Sequence, residues 1–190
     1  MARLIQDFNL LVSSARGDEH EANSELRYLL RELGDSFATT GLTQVSGLTV
    51  ARTILDPVRL IRQLRPILKM RPWEFRYILK VKPVRQVVPS TVEEIAKAAA
   101  EQAVGIREDE TFRVSVAKRR SNVSSKEIID AVASKVPRRV DLQNPKKVIL
   151  VEIISQVAGI SIIEPNCILG VEREKRATIP QQPTGPSVRL

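Results

Sequence analysis

Apolar residues along this chain alternate between two periods, three to four residues apart in some stretches and two in others. In residues 20–33, Leu26, Leu29, Leu30 and Leu33 recur at helical spacing, and Gly34-Asp35 closes the segment. Residues 8–12, 36–40 and 48–52 read as short strands, the last two around a Gly-containing turn. Asp56 followed by Pro57 is a helix start, and Leu60, Ile61, Leu64 and Leu68 form the inner face of that helix. Pro66 interrupts the pattern and predicts a break or kink near Arg65. Residues 75–88 read as one long strand or two, with Pro83 marking an edge or a bulge. Trp73, Phe75 and Tyr77 alternate along one face of that strand; they suit base stacking or, in preference, the core. The order β-α-β-β-α-β predicts a ferredoxin-like module over residues 1–89.

A second block opens with Thr91 and Glu94, a capping box, and its helix runs to Val104 before Gly105. A strand over residues 112–117 follows. Ser124 and Glu127 make a second capping box, opening a helix with Ile128, Val132 and Val136 on one face and Pro137 at its end. Residues 148–154 and 157–163 are apolar and β-branched, with a tight turn at Ser155-Gln156, and read as strands inside a sheet. The whole is an α+β protein. Its second domain spans residues 90–170, and residues 171–190 are expected to form a flexible tail.

Charge sharpens the picture. The 190 residues carry a formal net charge of +8, and 43% are hydrophobic, so the chain can build a core and still attract anions. Residues 54–88 hold nine Lys/Arg against Asp56 and Glu74, and residues 111–150 hold ten against Glu127, Asp130 and Asp141. Between them, residues 91–110 hold two Lys/Arg against six Asp/Glu. One cysteine, Cys167, permits no internal disulfide and suits a reducing compartment. No apolar run reaches the roughly 20 residues a membrane span requires. A soluble, cytoplasmic protein with no membrane partner is expected.

Catalytic chemistry has little to stand on. His20 is the only histidine, so no zinc site of ordinary ligand count can be assembled with Cys167, and no glycine-rich phosphate loop occurs. No cofactor is expected. The chemistry-bearing stretch is residues 112–120, FRVSVAKRR, in which a strand delivers Lys118, Arg119 and Arg120 to the helix start at Ser124 and Lys126. A bare triplet of this kind reads as a solvated loop. Joined to a helix N-terminus and to Arg138, Arg139, Lys146 and Lys147, it reads as a contact to RNA or DNA phosphates. Arg59, Arg62, Lys80 and Lys82 suggest a second phosphate-tracking patch, or else a soluble helix face and an edge strand guarded by lysine.

FRVSVAKRR, then SSKEIIDAVASKV, then VDLQNPKKVILVEIISQVAGISII, resembles a THUMP domain over residues 90–165. The block before it resembles the ferredoxin-like module that precedes THUMP domains in tRNA-modifying proteins. The resemblance implies tRNA binding through Lys118, Arg119, Arg120 and the helix start at Lys126. THUMP domains are usually fused to a catalytic domain, and none follows in this sequence. The chain is therefore similar to the archaeal and eukaryotic adaptors for tRNA cytidine acetylation, in which a separate acetyltransferase performs the reaction, and is expected not to be an enzyme itself. An unrecognised tRNA-modifying enzyme and a ribosome- or rRNA-associated structural protein are the alternatives. Two positions depart from the family: Lys146 after Asn144-Pro145, where Asp is frequent, and Gln156, where Gly is common.

Overall fold

A computed structural model describes residues 6–178. It contains two sheets with helices on the outer face of each. The first sheet holds β1 (Leu10–Ser13), β2 (Thr39–Leu42), β3 (Leu48–Arg52), β4 (Lys80–Pro83) and β9 (Leu169–Gly170) in the order β2-β3-β1-β4-β9. All its pairings are antiparallel. With α1 (Glu19–Glu32) and α2 (Pro57–Met70), the first four strands make the ferredoxin-like arrangement, and β9 extends it.

Period-two alternation decides which residues go where. Leu10 and Val12 of β1 join Leu26, Leu29 and Leu30 of α1 and Leu60, Ile61, Leu64 and Leu68 of α2 in one core. Leu11, between them, belongs with Phe8, Leu48, Val50 and Val84 to a second cluster, on the face away from the helices. The Asp56 side chain caps α2 through the N–H groups of Val58 and Arg59, and Pro57 occupies its first turn. Pro66 does not break α2, which continues to Met70. Pro66 lies on the exposed side, so the Arg62 carbonyl deprived of its donor stays open to water.

The second sheet has the order β5-β8-β7-β6, from β5 (Gln86–Pro89), β6 (Phe112–Arg119), β7 (Lys147–Ile154) and β8 (Val157–Ile163). β6 and β7 are parallel, and β8 is antiparallel to both β7 and β5. Helices α3 (Val92–Ala103) and α4 (Ser125–Lys135) cover one face through Ile95, Ala99, Ile128 and Val132. The two apolar segments expected as inner strands are β7 and β8, and β7 is buried along nearly its whole length.

Several expectations need correction, the first only in part. Residues 75–88, read as one long strand or two, hold two short strands, β4 from Lys80 and β5 from Gln86, preceded by a single 3-10 turn over Pro72–Glu74; Pro83 makes no bulge but ends β4 where β9 no longer pairs with it. The turn breaks the alternation of Trp73, Phe75 and Tyr77, so Phe75 is buried while Trp73 is 64% exposed. β5 is not part of the first sheet; it pairs with β8. Residues 171–178, expected in a flexible tail, form helix α5 (Val171–Thr178) on the first unit, where Glu174 pairs with Arg65 at 3.0 Å and Lys175 donates to the Phe75 carbonyl at 2.8 Å. Residues 179–190 lie outside the described residues.

The open faces of the two sheets pack together. Ile154, Val87 and Val157 of the second sheet join the cluster of Phe8, Leu11, Leu48 and Val84. At Gly159 the approach is so close that a Cβ would lie 3.0 Å from a Val84 methyl. Lys82 of β4 reaches across to Glu152 of β7, and both side chains are nearly buried. Lys82 is thus a bridge between sheets, not part of a solvent-facing phosphate patch. No described helix is long and apolar enough to cross a membrane.

Two outcomes follow from this packing. Lys82→Met leaves Glu152 as a buried charge without its partner and lowers unfolding free energy by about 3 kcal/mol in denaturant titration, whereas Lys82→Met with Glu152→Leu recovers most of the loss. Asp35, 1% exposed, opposes its own desolvation by accepting from the Thr53 hydroxyl and from the Ile54 and Phe37 N–H groups, and the balance holds its carboxyl below the ordinary 3.8. A lowered folded value adds stability that is complete above 3.8 and is lost as pH falls below it. Asp35→Asn is therefore less stable than the parent near neutrality, and the gap narrows in acid, as parallel circular-dichroism unfolding curves at several pH values would read.

Candidate functional site

The site is built where β6 ends. β5, β6 and β7 run in the same direction, because β8 is antiparallel to both β5 and β7, and β7 is parallel to β6. The crossovers β5-α3-β6 and β6-α4-β7 therefore return both helices antiparallel to the strands. Both helix N-termini consequently lie at the carboxyl ends of β5, β6 and β7, the end where open α/β sheets bind ligands. Lys118, Arg119 and Arg120 occupy that end, and all three are exposed.

Local hydrogen bonds hold this edge in shape. The Ser155 N–H, in the β7–β8 turn, donates to the Arg119 carbonyl at 2.9 Å. The Ser90 hydroxyl donates to the Ser155 carbonyl at 3.0 Å, tying the start of α3 to the same turn. Arg120 and Ser155 both adopt positive φ, 52° and 57°, which turns the chain sharply at each strand end. Lys118 Nζ donates to the Val123 carbonyl at 3.0 Å, folding the loop back toward α4. Ser124 caps α4 by accepting from the Glu127 N–H, leaving the first N–H groups of the helix directed outward.

The two helix starts differ in charge. α3 opens with Glu93 and Glu94, which oppose an incoming anion. α4 opens with Ser125, Lys126 and Glu127, and Lys126 pairs with Asp130 at 3.1 Å across an exposed turn, a pair of little strength. An anion is therefore favoured between Lys118, Arg119, Arg120 and the start of α4.

The remaining expected residues do not join this site. Arg139, Lys146 and Lys147 lie at the opposite end of β6, where Phe112 pairs with Lys147 and its N–H donates to the Arg139 carbonyl. Seven strand steps separate the two ends, roughly 23 Å. Arg138 is committed to structure: its guanidinium donates to the Ile106, Arg107 and Pro137 carbonyls. Lys147 pairs with Glu110 and Glu164. The Arg107 N–H, chiefly, together with Lys147 and Arg107, holds the Glu110 carboxyl below its usual range against the cost of desolvation. Arg62 pairs with Glu164 at 3.1 Å. Arg59, Lys80, Arg139 and Lys146 are exposed and make no ion pair among the described residues. The contribution of Ser90 and the Ser155-Gln156 turn escaped sequence reading, because β5 was read as part of the first sheet. With β5 reassigned, the parallel β-α-β-α-β order predicts the convergence.

Comparison with known families matches residues 89–163 to the THUMP domain, and a THUMP domain is present there. No curated protein matches the sequence. Among solved structures, the chain is similar in fold to PH1313 from Pyrococcus horikoshii, with 18% identity and a TM-score of 0.56 over 83% of this chain and 55% of that one. It is likewise similar to TrmN from Thermus thermophilus, with 15% identity and a TM-score of 0.52 over 83% and 46%. A 4-thiouridine synthetase solved with RNA and ATP matches at 17% identity and a TM-score of 0.53 over 83% and 42%. The chain spans about half the length of these structures.

The division between engaged and open cations is measurable as stability. Arg138→Ala removes charged donors from three carbonyls and costs about 2 kcal/mol in thermal unfolding, whereas Arg139→Ala, which removes no described side-chain bond, stays within about 0.5 kcal/mol of the parent.

Proposed function

We propose, from the THUMP domain at residues 89–163 and the cationic end of its sheet, that this protein binds tRNA and presents it to a separate modifying enzyme. The carrying observation is the placement of Lys118, Arg119 and Arg120, exposed and without ion pairs among the described residues, beside the open N–H groups of α4. Fixed cations and a helix start together favour phosphate oxygens. The formal net charge of +8 adds long-range attraction for a polyanion. Several proteins of this fold bear on the reading, among them the thiouridine synthetase solved with RNA.

Within this reading the chain is a non-catalytic adaptor, and the reaction is acetylation of a tRNA cytidine by an acetyltransferase partner in the cytoplasm. The resemblance of residues 90–165 to the THUMP domains of acetylation adaptors supports this finer statement.

Binding to tRNA weakens steeply with added salt. Replacing Lys118, Arg119 and Arg120 by Ala lowers affinity at least about tenfold and reduces the log–log salt slope by about 2, because each lost phosphate contact removes roughly 0.7 to 0.9. Fluorescence anisotropy of labelled tRNA across a salt series checks both, and an unchanged slope refutes the site. Incubated alone with acetyl-CoA, the protein leaves tRNA unmodified. Acetylcytidine formed without a partner, detected by mass spectrometry of digested tRNA, refutes the adaptor role.

A further inference from the structure

Trp73 is the sole tryptophan of the sequence, and the fold holds it outside. It is 64% exposed, and Met70, three residues earlier at the end of α2, is 76% exposed. Exposed residues of this size on a loose tip would be unremarkable, but this segment is fixed on both sides. Glu25 of α1 accepts from the backbone N–H groups of Arg76, Tyr77 and Ile78 at 2.8–3.0 Å. From α5, Lys175 donates to the Phe75 carbonyl at 2.8 Å, and Phe75 itself is buried in the core. Arg71 pairs with Glu32, and its N–H donates to the Ile67 carbonyl at 2.7 Å. The indole is thus displayed with little ordering entropy left to lose on binding.

Its surroundings select a partner. Lys69, Arg76 and Lys80 are exposed and make no ion pair among the described residues, against Glu74 in the same turn. Arg76 lies over the Tyr77 ring at 5.7 Å, while among the described residues no cation lies over Trp73. An exposed indole in a cation-rich segment matches a nucleobase with its phosphates better than an apolar protein surface.

We infer that Trp73 stacks on an unpaired base of a bound RNA. This inference rests on the RNA-binding reading proposed above.

The tryptophan is its own reporter. Titration with an RNA hairpin carrying an unpaired 3′ extension of about four nucleotides quenches Trp73 emission, and the same hairpin made blunt binds without quenching. Trp73→Ala weakens the extended hairpin about 5- to 100-fold, leaves the blunt one unchanged, and Trp73→Phe restores most of the loss. Anisotropy of the labelled RNA follows binding independently. If the extended hairpin binds without quenching and Trp73→Ala binds it equally, stacking is wrong while RNA binding stands. If Trp73→Ala keeps RNA affinity but abolishes self-association in sedimentation, the indole is a protein contact and the inference is overturned. If neither hairpin binds the parent, the RNA reading fails and this inference with it.

Discussion

The structure depends on one contact: the open face of the first sheet lying against the open face of the second. Without it Phe8, Leu11, Val50, Val84 and Ile154 would be exposed apolar surface on both halves. Gly159 permits the approach by having no side chain where Val84 lies, and Lys82 and Glu152 place a charge pair within it. The pair stabilises little by itself, since desolvation offsets most of its attraction, but it penalises any arrangement that separates the two charges. The chain also crosses the boundary twice, from β4 to β5 and from β8 to β9, so neither half is a bead on a linker. Relative motion, the default for loosely joined units, is opposed by packing and connectivity together.

This contact also sorts the cations. Lys82, Arg62, Arg65 and Lys147 find carboxylates on a distant part of the chain, and they join β4 to β7, α2 to the segment after β8, α2 to α5, and β7 to the loop before β6. A net charge of +8 is therefore a poor count of contacts with an external anion. What distinguishes Lys118, Arg119 and Arg120 is that, without an ion pair among the described residues, they lie together on a strand end whose neighbours supply N–H donors. Position in the fold, more than abundance in the sequence, separates a cation that holds the protein together from one that faces outward.

Much of this was legible in advance. The leucine spacing of α1 and α2, the caps at Asp56, Thr91 and Ser124, and the paired runs that became β7 and β8 are local signals, decided by neighbours in sequence. The cationic end of β6 was legible for the same reason. What was not legible is long-range. Nothing near Gln86 tells that its strand pairs with β8 and not with β1, because either placement buries the same alternating face. Lys82 reads as an exposed lysine until Glu152, 70 residues away, is placed opposite it. Trp73 failed for a local reason: a proline directly after a helix end favoured one 3-10 turn, and three aromatics that alternate in sequence ceased to alternate in space.

The reassignment of β5 also explains why the anion-favouring region is narrow. Parallel crossovers bring both helix starts to one edge, which alone would make a broad positive margin. Yet Glu93 and Glu94 fill the first turn of α3, and the Ser90 hydroxyl and N–H are already spent on the Ser155-Gln156 turn. The α3 side is closed electrostatically and by hydrogen bonding, so the favourable region contracts to the space between Arg120 and the start of α4. An anion displaced toward α3 would meet carboxylates. Glu93 and Glu94, at the start of the acidic stretch between the two basic blocks, thus set the edge of the anion-favouring region.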